Sequence, residues 1–283
     1  RFEMVLTAKS CSRLMSTVYW LLAASMPGAV CAQTAPLPGT VPQVRVPSTF
    51  NPAAPNHAVS GSAVVSAPVP GGAGNVLTVN QSSQKAILHW NNFNIGSGSE
   101  VKFVQPSTSA QALNRIFQGD PSVIQGRLTA NGQVFLLNQN GIIFGNGAQI
   151  NTHSLLASTL NITDQDFNNG ILSVLTEVNP NPVFSVFGDG SGNISIEPLA
   201  VLNSAEGGRV MVLAPQVENK GKISTPGGQA ILAAADKVYL QASGDPSLRG
   251  LLIEVDTQGD TQRTVTNLGE IVAERGNVTL VGM

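Results

Sequence analysis

Residues 126–160 read GRLTANGQVFLLNQNGIIFGNGAQINTHSLLASTL, and this stretch decides the fold. Its centre is Asn138-Gln139-Asn140-Gly141, set between the apolar runs VFLL (134–137) and IIF (142–144). It carries no cysteine, no carboxylate pair and a single histidine, His153. Short runs of β-formers separated by Gly and Asn suit strands joined by tight turns. Two readings of the centre follow. In one, Asn138, Asn140 and Gly141 turn a corner between two strands. In the other, those side chains are presented to a partner.

The same texture recurs along the chain. A unit of Gly, any residue, apolar, any residue, apolar occurs at Gly132 with Val134 and Leu136, and at Gly208 with Val210 and Val212. It returns at Gly228 with Ala230 and Leu232, and at Gly276 with Val278 and Leu280. A second short strand pattern precedes three of the copies, around Gly126, Gly221 and Gly269. In the last two it opens with Asn219 and Asn267, giving Asn-x-Gly-x-apolar. A repeat of about twenty residues made of short strands points to a solenoid. The predicted fold is therefore all-β, a parallel β-helix in which each coil lies on the one beneath. Val, Ile and Leu stack inward, and Gly and Asn collect where corners need a left-handed backbone. Asparagines at like corners are expected to bond to each other along the axis. At about 4.8 Å per coil, roughly nine or ten coils would give a rod near 45 Å long.

Other segments frame this solenoid. Residues 33–74 are rich in Pro and Ala, with Arg45 as the only charge. Their prolines oppose sheet pairing, so they read as a linker or a loosely held cap. The β-helical domain is assigned to 75–283. Gly119-Asp120-Pro121-Ser122 is a turn that recurs at 244–247, since Pro presets the backbone and Asp caps it. Residues 171–187 read as a hairpin outside the coils, two apolar runs around Asn179-Pro180-Asn181-Pro182. Residues 151–166 are the least strand-like part and read as a short helix or loop.

Composition narrows the function. Only 11% of the 283 residues are charged and the net charge is -2, which gives no electrostatic reason to expect nucleic acid or an anionic membrane. Past the N-terminus no apolar run reaches the ~20 residues of a spanning helix. Residues 1–32 read as a secretory signal: Lys9 and Arg13 lead an apolar segment at 14–24, Pro27 and Gly28 break it, and Val30-Cys31-Ala32 fits cleavage before Gln33. Both cysteines, Cys11 and Cys31, would leave with it. The chain begins without Met and ends directly after a strand pattern, which reads as a piece of something longer.

Sites of chemistry are scarce. His57, His89 and His153 are scattered, without metal-ligand spacing. His89 reads as a strand residue, and Asp164 with Asp166 as a polar loop with no adjoining base. Residues 188–193 suggest a calcium loop but lack its closing Glu. No nucleotide fingerprint is present. No catalytic residue, metal or cofactor is expected.

Residues 86–106, 112–145 and 148–167 closely resemble the N-terminal secretion domain of two-partner-secretion exoproteins, the haemagglutination-activity domain of filamentous-haemagglutinin-like and high-molecular-weight adhesins. The segment GGRVMVLAPQVENKGKIS continues the likeness. The family's hallmark Asn-Pro-Asn-Gly stands here as Asn138-Gln139-Asn140-Gly141, with Gln in place of Pro. Its second Asn-rich motif is partly matched by Asn151-Thr152-His153-Ser154. The resemblance implies a right-handed parallel β-helix. It implies export to the surface or exterior of a Gram-negative bacterium, by way of the periplasm and an outer-membrane β-barrel transporter with periplasmic recognition domains. It assigns Asn138, Gln139, Asn140 and Gly141, with Asn151, to recognition by that transporter or to the fold it needs. The longer adhesin would meet a host-cell receptor or glycan. The rival readings are a β-helical polysaccharide-degrading enzyme and an autotransporter passenger. The enzyme would need clustered acids and bases, against which the low charge argues.

Overall fold

The computed structural model describes residues 34–49, 51, 53–170, 182–186, 192–242, 251–256 and 263–282. The signal segment, the second Gly-Asp-Pro-Ser and most of the hairpin expected at 171–187 lie outside them.

Three strands and three corners make each coil. Ser122–Ile124, Arg127–Ala130 and Gln133–Leu137 form one coil, and Ile142–Phe144, Gln149–Thr152 and Ser154–Ser158 form the next. Stacked in parallel, they build three sheets that wind as a right-handed parallel β-helix. Register follows the sequence repeat. Gln133 pairs with Ser154, Arg209 with Gln229, and Gln229 with Asn277. Seven parallel rungs run through the first and second sheets among the described residues, against the nine or ten expected. The shortfall has a physical reason. Between Ser158 and Ile194, and between Ala234 and Thr264, the described residues build no coil strand.

Those excursions form a second layer on the outside of the first sheet. A helix, Asp164–Asn169, is capped by Thr163, whose hydroxyl accepts from the Asp166 amide. Phe184–Ser185, Lys237–Ala242 and Leu251–Asp256 make a three-stranded antiparallel sheet. The first sheet is thus covered over much of its outer face as well as its inner one. Val134, Leu155, Val210 and Ala230 point into the coil, while Phe135, Leu156, Met211 and Ile231 pack outward against Phe167, Phe184 and Val238. Covered on both sides, these strands read as unbroken apolar runs instead of alternating ones. This corrects the expectation for 151–166. Ser154–Ser158 is a central strand, and the helix starts only at Asp164.

Residues before 75 close the first coil with antiparallel pairing. Gln43–Val44 and Ala58–Ser60 pair with Lys85–Asn92. Ala63–Val65 pairs with Gly74–Gln81. Such strands blunt a sheet edge that would otherwise recruit other chains.

The repeated glycine is explained by closeness more than by backbone sign. A Cβ on Gly228 would lie 1.8 Å from the Gly208 carbonyl oxygen, and one on Gly276 would lie 2.1 Å from that of Gly228. The left-handed residues are those just before, Gly207 (φ 73°) and Gly227 (φ 61°). Arg275 (φ 58°) takes the same place before Gly276, where a side chain costs about 1–2 kcal/mol. Its ion pair with Glu206, 3.0 Å, is exposed on both sides and adds little. Gly228→Ala should therefore cost about 2–4 kcal/mol, and Arg275→Gly should stabilise by up to about 1 kcal/mol. Chemical denaturation of the two variants checks both signs; equal midpoints would contradict the stacking argument.

Candidate functional site

The sequence Asn138-Gln139-Asn140-Gly141 ends the strand Gln133–Leu137 and starts Ile142–Phe144, so it turns from the first sheet to the third. The Gly141 amide donates to the Asn138 carbonyl at 3.0 Å, closing a β-turn. Inside that turn the Asn140 amide donates to Asn138 Oδ1 at 3.0 Å. This is an Asx turn, which Asn forms with the residue two ahead. The Asn-x-Gly repeat uses the same device: the Gly221 amide donates to Asn219 Oδ1 at 3.1 Å.

The asparagine side chains spend their remaining capacity on the coil beneath. Asn138 is fully buried. Its Nδ2 donates to the Asp120 carbonyl (3.2 Å) and to Ser122 Oγ (3.0 Å). Asn140 Nδ2 donates to the Gln118 carbonyl at 2.7 Å. The predicted Gly119–Ser122 turn is thus the platform on which the Asn corner rests. Gly141 has φ 117°, and a Cβ there would meet the Asn193 carbonyl at 2.9 Å and Pro121 at 3.2 Å. It is held between the coils above and below.

Gln139 differs from its neighbours. Its side chain is exposed, and its carbonyl accepts from the Gly192 amide at 2.6 Å. Among the described residues its amide donates to no acceptor. It occupies the second position of the turn, where proline is favoured. The family's proline would thus remove no bond here.

Asn151 is not part of this corner. It lies in Gln149–Thr152 on the second sheet, exposed, with its Oδ1 accepting from Asn203 Nδ2 at 2.9 Å. The expected asparagine pair at like corners is formed by Asn219 and Asn267 (2.7 Å), and Asn151 with Asn203 makes a similar bond from within the strands. In the partial second motif, the Ser154 hydroxyl accepts from the Arg209 amide at 3.0 Å.

Sequence reading missed the contacts made by Arg115, Phe117, His89 and Arg45. Arg115 reaches Asp164 at 2.6 Å and also binds the Ile162 carbonyl, so the Asp has a basic partner from far along the chain. Phe117 stands 52% exposed beside Gln139. His89 meets its ring edge-on at 4.9 Å, and the Arg45 guanidinium lies over it at 5.3 Å. Burial, then the Arg115 charge, pushes the His89 imidazole below its usual pKa. The signal for these contacts is long-range register, which no local motif carries.

With this geometry in place, likeness to known proteins becomes decisive. A family model described as "TPS secretion domain" matches residues 56–282. The chain belongs to the TPS secretion domain family. TPS secretion domains belong to proteins that Gram-negative bacteria export across the outer membrane, each with a cognate outer-membrane transporter. The structure is similar to the crystal structure of the HMW1 secretion domain from Haemophilus influenzae, with TM-score 0.65 and 28% identity over 79% of this chain and 54% of that one. A heme/hemopexin-binding protein of Haemophilus influenzae is 52% identical over 83 residues, 29% of this chain and 9% of its own length. A second one, from strain Rd, is 45% identical over 86 residues, 30% of this chain and 10% of its own length. The chain therefore spans about a tenth of these relatives.

For this TPS secretion domain the corner makes a clear prediction. Asn138→Ala strands buried partners and should cost about 2–4 kcal/mol. Gln139→Pro should be neutral or stabilise by about 0.4–1 kcal/mol. Denaturant titration of both variants decides, and a strongly destabilised Gln139→Pro would contradict the turn assignment.

Proposed function

We propose that this TPS secretion domain is bound in the periplasm by the periplasmic domains of its outer-membrane β-barrel transporter, crosses unfolded, and folds into the β-helix outside the cell. One observation carries the division of labour within the motif: Asn138 is fully buried and its polar atoms are taken up by its own turn and the coil beneath. Asn138, Asn140 and Gly141 accordingly serve export by holding the corner. Gln139 and Asn151, both exposed in the folded coil and not needed to hold the corner, are the motif residues left for the transporter's periplasmic domains to read on the unfolded chain. Folding outside would pull the chain forward, because each completed coil templates the next.

The exoprotein carrying this domain is proposed to act at a host surface, on a receptor or glycan, through sequence outside the domain. The relatives' name, heme/hemopexin-binding protein, supports a ligand-binding role for such proteins. Their shared portion with this chain is too short to transfer heme or hemopexin as the ligand.

Export with and without the transporter tests the proposal. The wild-type chain should reach the cell exterior when the cognate transporter is co-expressed, and stay periplasmic when it is absent. Gln139→Ala and Asn151→Ala should lower export while leaving thermal stability unchanged. Transporter-independent release would overturn the route. Normal export of both exposed-site variants would overturn their assigned role.

A further inference from the structure

The outside of the first sheet holds a cavity of about 400 Å³ that the export reading does not use. It lies between two flanks that are tied down. On one side Lys85 Nζ donates to the Phe167 and Asn168 carbonyls, at 3.0 and 2.7 Å, fastening the end of the helix Asp164–Asn169. On the other the Gln229 side chain exchanges two 2.8 Å bonds with the Leu251 backbone, docking the strand Leu251–Asp256. Between these clamps the middle of the sheet's polar edge, with Gln111, Gln133 and Arg209, stays open.

The walls are mixed in a directed way. Phe135, Leu156, Met211 and Leu251 form an apolar floor. Arg209 lines the same space, partly buried, and its guanidinium makes no hydrogen bond or ion pair among the described residues. Gln111 Oε1 is buried there without a partner. The described lining holds two cations, Lys85 and Arg209, and no carboxylate. Burial lowers the pKa of both, which is the cost of keeping a cation away from water. A half-buried guanidinium without a counter-charge is unfavourable, and a bound anion would offset that cost. The volume is within the range of small-molecule sites, which pair apolar walls with a few converging polar groups.

We infer that this cavity is a binding site for a small amphipathic carboxylate, with its head on the Arg209 guanidinium and its apolar tail on Phe135, Leu156 and Met211. The planar fork of Arg209 fits a carboxylate in a two-bonded pair. Gln133 borders the head group, and Gln111, whose unpaired Oε1 is an acceptor like the carboxylate itself, bonds it only with its side-chain amide turned to present the NH2. The site lies outside the 138–141 corner, so its occupancy and the export motif are separable.

Decanoate is the probe, with decanol as the uncharged control, and calorimetric titration of the folded chain is the measurement. Decanoate should bind saturably at one site and raise the melting temperature, since a ligand of the folded state stabilises it. Decanol should bind about tenfold more weakly or worse, and Arg209→Gln should weaken decanoate by about the same factor. Arg209→Lys, which keeps the charge and loses the fork, should fall between. Side-chain amide resonances of Gln111 and Gln133 should shift in the wild-type chain on titration, a readout that needs no variant. No saturable binding, equal binding of decanoate and decanol, or unchanged affinity in a folded Arg209→Gln variant would overturn the site.

Discussion

The approach of one backbone to the next along the axis is the constraint on which the rest of this structure depends. At the repeated glycine the chains come so close that a methyl group would sit 1.8 Å from the carbonyl beneath. Hydrogen bonds from Gln229 to the Gly208 carbonyl, and from Asn277 to that of Gly228, follow directly. Register on the first sheet follows from these contacts, and register decides which side chains enter the core. Few charges are needed in such a molecule. Inward positions are apolar, corners are satisfied by asparagine, and much of the outer face of one sheet is covered by the chain's own excursions.

The corner at 138–141 is a densely bonded instance of this scheme. Asn138 closes its own turn and grips Asp120 and Ser122 below, while Asn140 grips Gln118. Gly141 lies against Asn193 of the next coil. A residue type that looks suited to recognition is here consumed by structure. What the folded domain shows to its surroundings near this point is Gln139 and the exposed ring of Phe117.

Much of this is legible in the sequence. The glycine repeat announced a solenoid, the Asn-x-Gly pattern announced its corners, and the resemblance assigned the family. Glycines do take the left-handed corner positions, at Gly207 and Gly227, whereas the repeated Gly228 beside them is required by crowding, which the sequence does not show. The outer layer was hidden because Phe135 and Met211, which face it, look no different in sequence from Val134 and Val210, which face the core. The platform under Asn138 was hidden because coil length varies, so no fixed spacing links Gln118 to Asn140. The Arg115–Asp164 pair was hidden for the same reason. Residues 151–158 were misread because the apolar run Leu155-Leu156-Ala157 is flanked by polar residues, and burial on both faces erased its alternation.

The central claim is that Asn138 and Asn140 act in export through the corner they hold. The most direct test plots exported amount against unfolding free energy for Asn138 and Asn140 variants, beside variants of matched stability in distant coils, such as those at Gly228. One common line is expected for both groups. Corner variants that are exported less than distant variants of equal stability would show that the transporter reads those side chains themselves, and would contradict that claim.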